Sequence, residues 1–171
     1  EADGHTTAQS YDGRGNVTTI IDAHGKATKL QYDARDNLLQ LIDRANNTHR
    51  YTYDAHDNLI QITDPKNGTT RLAYDSAGQL KALTDARQQT TSFSHDSQGN
   101  LIGIRTPAGG TTNYTYDGVG RIASLTDAAG NTFRYTFDGI DRLIEVVHPD
   151  GHETRYNYGC CTLSSVSDQN G

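Results

Sequence analysis

The sequence has no methionine, no tryptophan, only three prolines and only two cysteines, adjacent at Cys160 and Cys161. Two neighbouring cysteines make neither a disulfide framework nor a zinc-ligand pattern. No apolar run approaches the roughly 18 residues a membrane helix needs, so membrane insertion is not expected. No basic-then-apolar leader opens the chain. Positive charge is also in deficit. Fifteen Lys and Arg stand against 21 Asp and Glu, a formal net charge of −6, which argues against nucleic acid as a partner. Hydrophobic residues make up only 33%, and the mean hydropathy is −0.74. Such a composition would suit a disordered chain. The ten tyrosines oppose that reading. Abundant Gly, Asn, Asp and Thr instead suit many short strands joined by tight turns.

What the chain does have is a repeat. Tyr11-Asp12, Tyr32-Asp33, Tyr53-Asp54 and Tyr74-Asp75 follow one another at intervals of 21 residues. The series runs on through His95-Asp96, Tyr116-Asp117 and Phe137-Asp138 to Tyr158 without an insertion. Three further columns keep the same phase and are apolar or aromatic throughout. One holds Val17, Leu38, Leu59, Leu80, Leu101, Ile122 and Leu143. The second holds Ile20, Leu41, Ile62, Leu83, Ile104, Leu125 and Val146. The third holds Leu30, Tyr51, Leu72, Phe93, Tyr114, Tyr135 and Tyr156. Thr recurs at 28, 70, 91, 112 and 154, with His49 and Phe133 in its place elsewhere.

Thr28, Leu30 and Tyr32 alternate with Lys29 and Gln31, the period of two of a strand with one apolar face. After each Tyr-Asp come Gly, Asn or Asp, which tolerate positive φ, so a turn follows. The apolar residue six after the Tyr is out of step with the strand behind it and predicts a β-bulge or a side chain under the turn. A second turn is expected at Asp22–Gly25, Asp64–Asn67 and Asp127–Gly130. Each repeat is therefore two strands of about five or six residues. No segment between turns is long enough for a helix of ~10 residues. The fold class expected is all-β: tandem hairpins forming a continuous twisted antiparallel sheet of about sixteen strands, part of a spiral or shell. The apolar columns are expected to be buried and the residues between them exposed.

Tyr116-Asp-Gly-Val-Gly-Arg-Ile122 and Tyr53-Asp-Ala-His-Asp-Asn-Leu59, together with the 21-residue period, resemble the RHS/YD-repeat family over essentially the whole chain. The resemblance implies a long antiparallel sheet wound into a spiral, commonly a hollow shell that in toxin members holds a toxin segment. It implies a secreted or cell-surface location and an encapsulated polypeptide as a partner. The self-cleavage segment of family toxins has no counterpart here, because Asp64-Pro65 reads as a variant of the second turn. An extracellular fibre, or an adhesion array binding carbohydrate on its tyrosine faces, is the alternative use of the same repeats.

Chemistry is expected to be absent. One Asp for every two strands, at a strand spacing of ~4.8 Å, leaves successive column members ~9–10 Å apart. That is too far for a shared proton or calcium ion, so Asp12, Asp33, Asp54, Asp75, Asp96, Asp117 and Asp138 are read as caps of their own turns. His148 and His152 are separated by Pro149 and Gly151 and make no helical metal face. Neither a nucleophile elbow nor a phosphate-binding loop occurs. The tyrosines are read as wall residues with hydroxyls bonded at the rim. No catalytic, metal or cofactor residue is expected. Cys160 and Cys161 interrupt the last repeat, with Gly159 in place of Asp, as a shortened turn or a possible cross-link. The chain starts at Glu1 rather than Met, and Glu1–Gly4 stands in the same phase as Asp168–Gly171. A single array, 1–171, cut from a longer one is therefore expected, with flanking repeats or identical chains as partners at its open sheet edges.

Overall fold

The computed structural model describes residues 7–160 and 162–168. The chain divides into two units, residues 1–90 and 91–171. The first carries β1 (Ala8–Tyr11), β2 (Val17–Ile21), β3 (Ala27–Tyr32), β4 (Leu38–Ile42), β5 (Thr48–Tyr53), β6 (Leu59–Thr63), β7 (Thr69–Tyr74) and β8 (Leu80–Thr84). The second carries β9 (Thr90–His95, but for its first residue), β10 (Leu101–Arg105), β11 (Thr111–Tyr116), β12 (Ile122–Thr126), β13 (Thr132–Phe137), β14 (Leu143–Val147), β15 (Glu153–Tyr158) and β16 (Leu163–Asp168). Within each unit every strand pairs antiparallel with the next in sequence. No helix occurs among the described residues.

The repeat is built from two five-residue loops, one five-residue strand and one six-residue strand, as in Asp12–Asn16, β2, Asp22–Lys26 and β3. Both loops have the same backbone. The N–H of the first residue donates to the carbonyl of the fifth, and the N–H of the fourth donates back to the carbonyl of the first. Asp12 and Asn16 do this at 2.9 Å and Gly15 and Asp12 at 3.2 Å; Asp22 and Lys26, then Gly25 and Asp22, do it at 2.9 Å each. The fourth residue is always left-handed. Gly15, Gly25, Asp36, Asn46, Asp57 and Asn67 all have positive φ and step by 10, 11, 10, 11 and 10 residues. Behind the 21-residue period lies a half-period with one turn chemistry used twice.

The expected bulge is present at each Tyr-Asp hairpin. Tyr32 faces Leu38 while Gln31 faces Gln40, so Leu39 is the extra residue. Tyr11 faces Val17 and Gln9 faces Ile20. Because Gln9 and Tyr11 share a face, Val17 and Ile20 share it too, although three residues apart. The bulge thus brings the out-of-step apolar column onto the same face as the other two. Cross-strand rows such as Leu30, Leu41 and His49, or Tyr135, Val146 and Thr154, run over that face. The opposite face holds the row Gln31, Gln40 and Arg50, and beside it Lys29 facing Ile42.

The expectation of buried columns needs correction. Val146, 7% exposed, is the only buried hydrophobic side chain among the described residues, and Leu101 and its column mates are half-buried or more exposed. The reason is geometric. A strand's neighbours in its own sheet shield it from the sides, but complete burial needs a second layer stacked about 10 Å away. The described residues of each unit form no second layer.

Candidate functional site: the laced turns

Residues with hydrogen-bonding or ionic chemistry gather at the loops. In the first loop Asp12 Oδ1 accepts from the N–H groups of Arg14 and Asn16, both at 2.9 Å. Asp33 Oδ1 accepts from Arg35 N–H at 2.8 Å and Asn37 N–H at 3.0 Å. Asp54, Asp75, Asp96, Asp117 and Asp138 repeat the pair of bonds to residues two and four on. The carboxylate replaces solvent for two amides that the loop leaves unpaired. Asp22, Asp43, Asp64, Asp85 and Asp127 do the same in the second loop, and the sequence reading had not singled them out as a column. Their signal was present, since they too stand 21 residues apart, broken only by Thr106 and His148.

These bonds set the acidity of the carboxyls. Asp12, Asp22, Asp33, Asp117 and Asp138 lie below the ordinary value of 3.8, chiefly through the backbone N–H four residues on. In Asp43, Asp54, Asp96 and Asp127 the larger cause is the side-chain amide of the Asn at that position. A hydrogen bond to the charged form favours it. A general acid needs the opposite shift at neutral pH.

Consecutive repeats are laced together by the fifth loop residue. Asn16 Nδ2 donates to Asp12 Oδ2 at 3.1 Å and, across to the next repeat, to Asp36 Oδ1 at 2.6 Å. Asn37 links Asp33 and Asp57 at 3.1 and 2.6 Å. Arg14 and Arg35 add ion pairs to Asp36 and Asp57, each at 3.0 Å. In the second unit the lace is Arg121, whose Nε meets Asp117 Oδ2 at 2.7 Å and whose guanidinium reaches Asp138 O at 3.0 Å and Asp141 Oδ1 at 2.8 Å. The same guanidinium lies 4.9 Å from the centre of the Phe137 ring, and that of Arg142 lies 4.4 Å from the centre of Tyr158. The Arg of the Tyr-Asp-x-x-Gly-Arg motif is therefore a clamp between hairpins.

The tyrosines bind backward. Tyr74, Tyr116 and Tyr158 donate their hydroxyls to the carbonyls of Leu59, Leu101 and Leu143, one repeat earlier, at 3.0, 2.8 and 2.9 Å. Tyr53 is pushed above its ordinary value of 10.0, first by desolvation. Tyr32 and Tyr53 sit in the same column, and Tyr11, 58% exposed, donates its hydroxyl to Gln9. His95 faces Leu101 as a member of the Tyr column. His148 replaces Asp at its turn and bonds Thr154 at 3.0 Å, with Phe133 edge-on at 5.7 Å. His152 meets Asp150 at 2.6 Å. No cluster of three metal-ligating side chains occurs among the described residues. Cys160 is exposed, and Cys161 lies outside the described residues. The last loop is one residue shorter, with Gly159 N–H donating to Thr162 O at 2.8 Å.

Among solved structures, the chain is similar to a TcdB2-TccC3-Cdc42 complex, with a TM-score of 0.75 and 19% identity over 92% of this chain. It is also similar to TcdB2-TccC3, with a TM-score of 0.75 and 19% identity over 93%. The Photorhabdus luminescens Tc holotoxin pore matches with a TM-score of 0.69 and 21% identity over 84%. The chain spans about a tenth of those chains, 10%, 11% and 9% respectively. No curated protein matches. The family described as the Teneurin YD-shell matches residues 3–166, laced turns and tyrosine columns included, and the chain belongs to that family.

Proposed function

We propose that this chain is a stretch of wall in an encapsulating β-shell, part of a longer array in a secreted or surface-delivered protein of toxin type, and that it has no catalytic role. The observation that carries this reading is the uniformity of the loops. Among the described residues, twelve of them spend an Asp on two of their own amides, from Asp12 to Asp138. A surface selected for catalysis concentrates its chemistry in one place. Here the same contacts recur along the whole chain, as a wall requires. The similarity to Tc toxin structures, of which this chain would occupy about a tenth, supports a longer array around it. In that setting the enclosed partner is a polypeptide.

The test is protection. In the complete protein carrying this segment, the enclosed polypeptide should resist added protease. It should become sensitive when Asp33, Asp54 and Asp117 are replaced together by Ala. Digestion at the rate of the free polypeptide in the unmodified protein would overturn the reading.

A further inference from the structure

The eight strands of the first unit contain no Asp or Glu at all; every carboxylate of residues 8–84 lies in a loop. Their cations are Lys29, Arg50, Arg71 and Lys81. Three of these form a column of their own, 21 residues apart, on the face opposite the apolar rows. Lys29 stands between Thr19 and Ile42, Arg50 between Gln40 and Thr63, and Arg71 between Gln61 and Thr84. All three are exposed. None has an ion pair or a hydrogen bond among the described residues, whereas the loop cations Arg14, Arg35 and Arg44 are all paired to Asp.

The second unit answers the same column differently. Ser92 and Asn113 carry no charge there, Arg134 is a single exposed cation between Ser124 and Val147, and Arg155 is neutralised by Glu145 at 3.0 Å and Glu153 at 2.6 Å. The array therefore tolerates small polar residues at this position and can quench a cation when one is present. The first unit does neither at three successive members, whereas Arg134 in the second unit stands between uncharged Asn113 and the neutralised Arg155. A net-acidic chain holds an unquenched row of cations on one sheet face, with the acids held at the loops.

We propose that the Lys29–Arg50–Arg71 row is a binding strip for an extended acidic polypeptide segment lying across the strands. Column members lie two strand spacings apart, ~9.6 Å. An extended peptide advances ~3.3 Å per residue, so acidic side chains at every third position match that spacing. Gln31, Gln40, Gln61 and Thr52 lie on the same face beside the row and offer hydrogen bonds to the peptide backbone. Around Arg71 the face dips into a groove of about 600 Å³ lined by Gln61, Thr52, Ala73, Ala82 and Thr84, room for side chains between the acidic ones. The assignment deepens the wall reading, because it names the chemistry of a segment the wall would hold. The binding itself does not require an enclosed cavity.

The experiment uses the full chain and fluorescent twelve-residue peptides. One has Glu at every third position with Ser and Thr between, one has Gln in place of Glu, and one has the same Glu residues contiguous. The spaced Glu peptide should bind saturably and weaken as salt rises. Replacing Lys29, Arg50 and Arg71 together by Ser, the residue the array already carries at position 92, should weaken binding about tenfold, since each exposed pair contributes a factor of roughly 1.5 to 5. Arg134→Ser, in the other unit, should leave it unchanged. Circular dichroism checks the fold, and the single variant Arg50→Ser supplies a smaller loss if the triple variant misfolds. Equal binding of the Gln peptide, no loss in either variant, or tighter binding of an anionic polysaccharide would overturn the proposal. Such a failure, alongside intact protease protection in the complete protein, would leave the wall reading standing.

Discussion

Gln88 offers a sharp test of the loop account. Among the described residues, fourteen loop residues adopt positive φ, and thirteen of them are Gly, Asn or Asp; Gln88, at φ 63°, is the exception. A side chain with a Cβ costs about 1–2 kcal/mol in this region, because the Cβ crowds the following carbonyl. Gly avoids that cost but loses about 0.5–1 kcal/mol through the larger freedom of its unfolded chain. Gln88→Gly should therefore stabilise the protein by up to about 1 kcal/mol, with Gln88→Asn close behind. The mirror experiment is Gly130→Ala. Gly130 sits at φ 87° and a Cβ there would meet nothing within 4 Å, so any penalty is conformational and not steric packing. With the unfolded-state freedom that Ala removes set against that penalty, it should cost up to about 1 kcal/mol. For a chain of this size each kcal/mol moves the melting temperature by roughly 2–4 °C. Thermal melts followed by circular dichroism should show Gln88→Gly melting above the parent and Gly130→Ala below it. Gln88→Gly melting lower, or Gly130→Ala unchanged, would refute the claim that one left-handed turn chemistry serves both loops.

Three further outcomes are expected. Tyr116→Phe removes the 2.8 Å bond to Leu101 O and should cost about 1 kcal/mol in a urea melt, whereas Tyr32→Phe, in the same column but without such a bond, should cost almost nothing. The Asp33 carboxyl is held below 3.8 in the folded chain, so its contribution is present above the unfolded value and lost as pH falls through the folded one. Asp33→Asn keeps an acceptor for both amides and should melt above Asp33→Ala at pH 7, and either substitution should flatten the loss of stability measured as pH falls below the ordinary value of 3.8. Val146→Asp, at the one buried hydrophobic position, should destabilise more than Leu101→Asp, whose site is only half-buried; equal melting temperatures would contradict the burial gradient.

Local chemistry was legible in the sequence, and geometry between repeats was not. The strands followed from alternation, the first loop from Tyr-Asp and Gly, and the bulge from Val17 and Leu38 falling out of phase. The second loop escaped as an equal partner because no tyrosine marks it, though Asp22 and Asp43 cap it with the bonds that Asp12 and Asp33 make. The lacing escaped for a different reason. Asn16 and Asp36 are twenty residues apart, and their meeting depends on the left-handed fourth residue of the next loop projecting a carboxylate toward the previous one. Burial was overestimated because an apolar column predicts a face without predicting a second layer to cover it.

The most direct test of the wall reading is electron microscopy of the complete protein carrying this segment. The account predicts closed, hollow particles of fixed size, with the tandem hairpins forming part of the wall around enclosed density. Open filaments that lengthen with protein concentration would contradict it and favour a fibre.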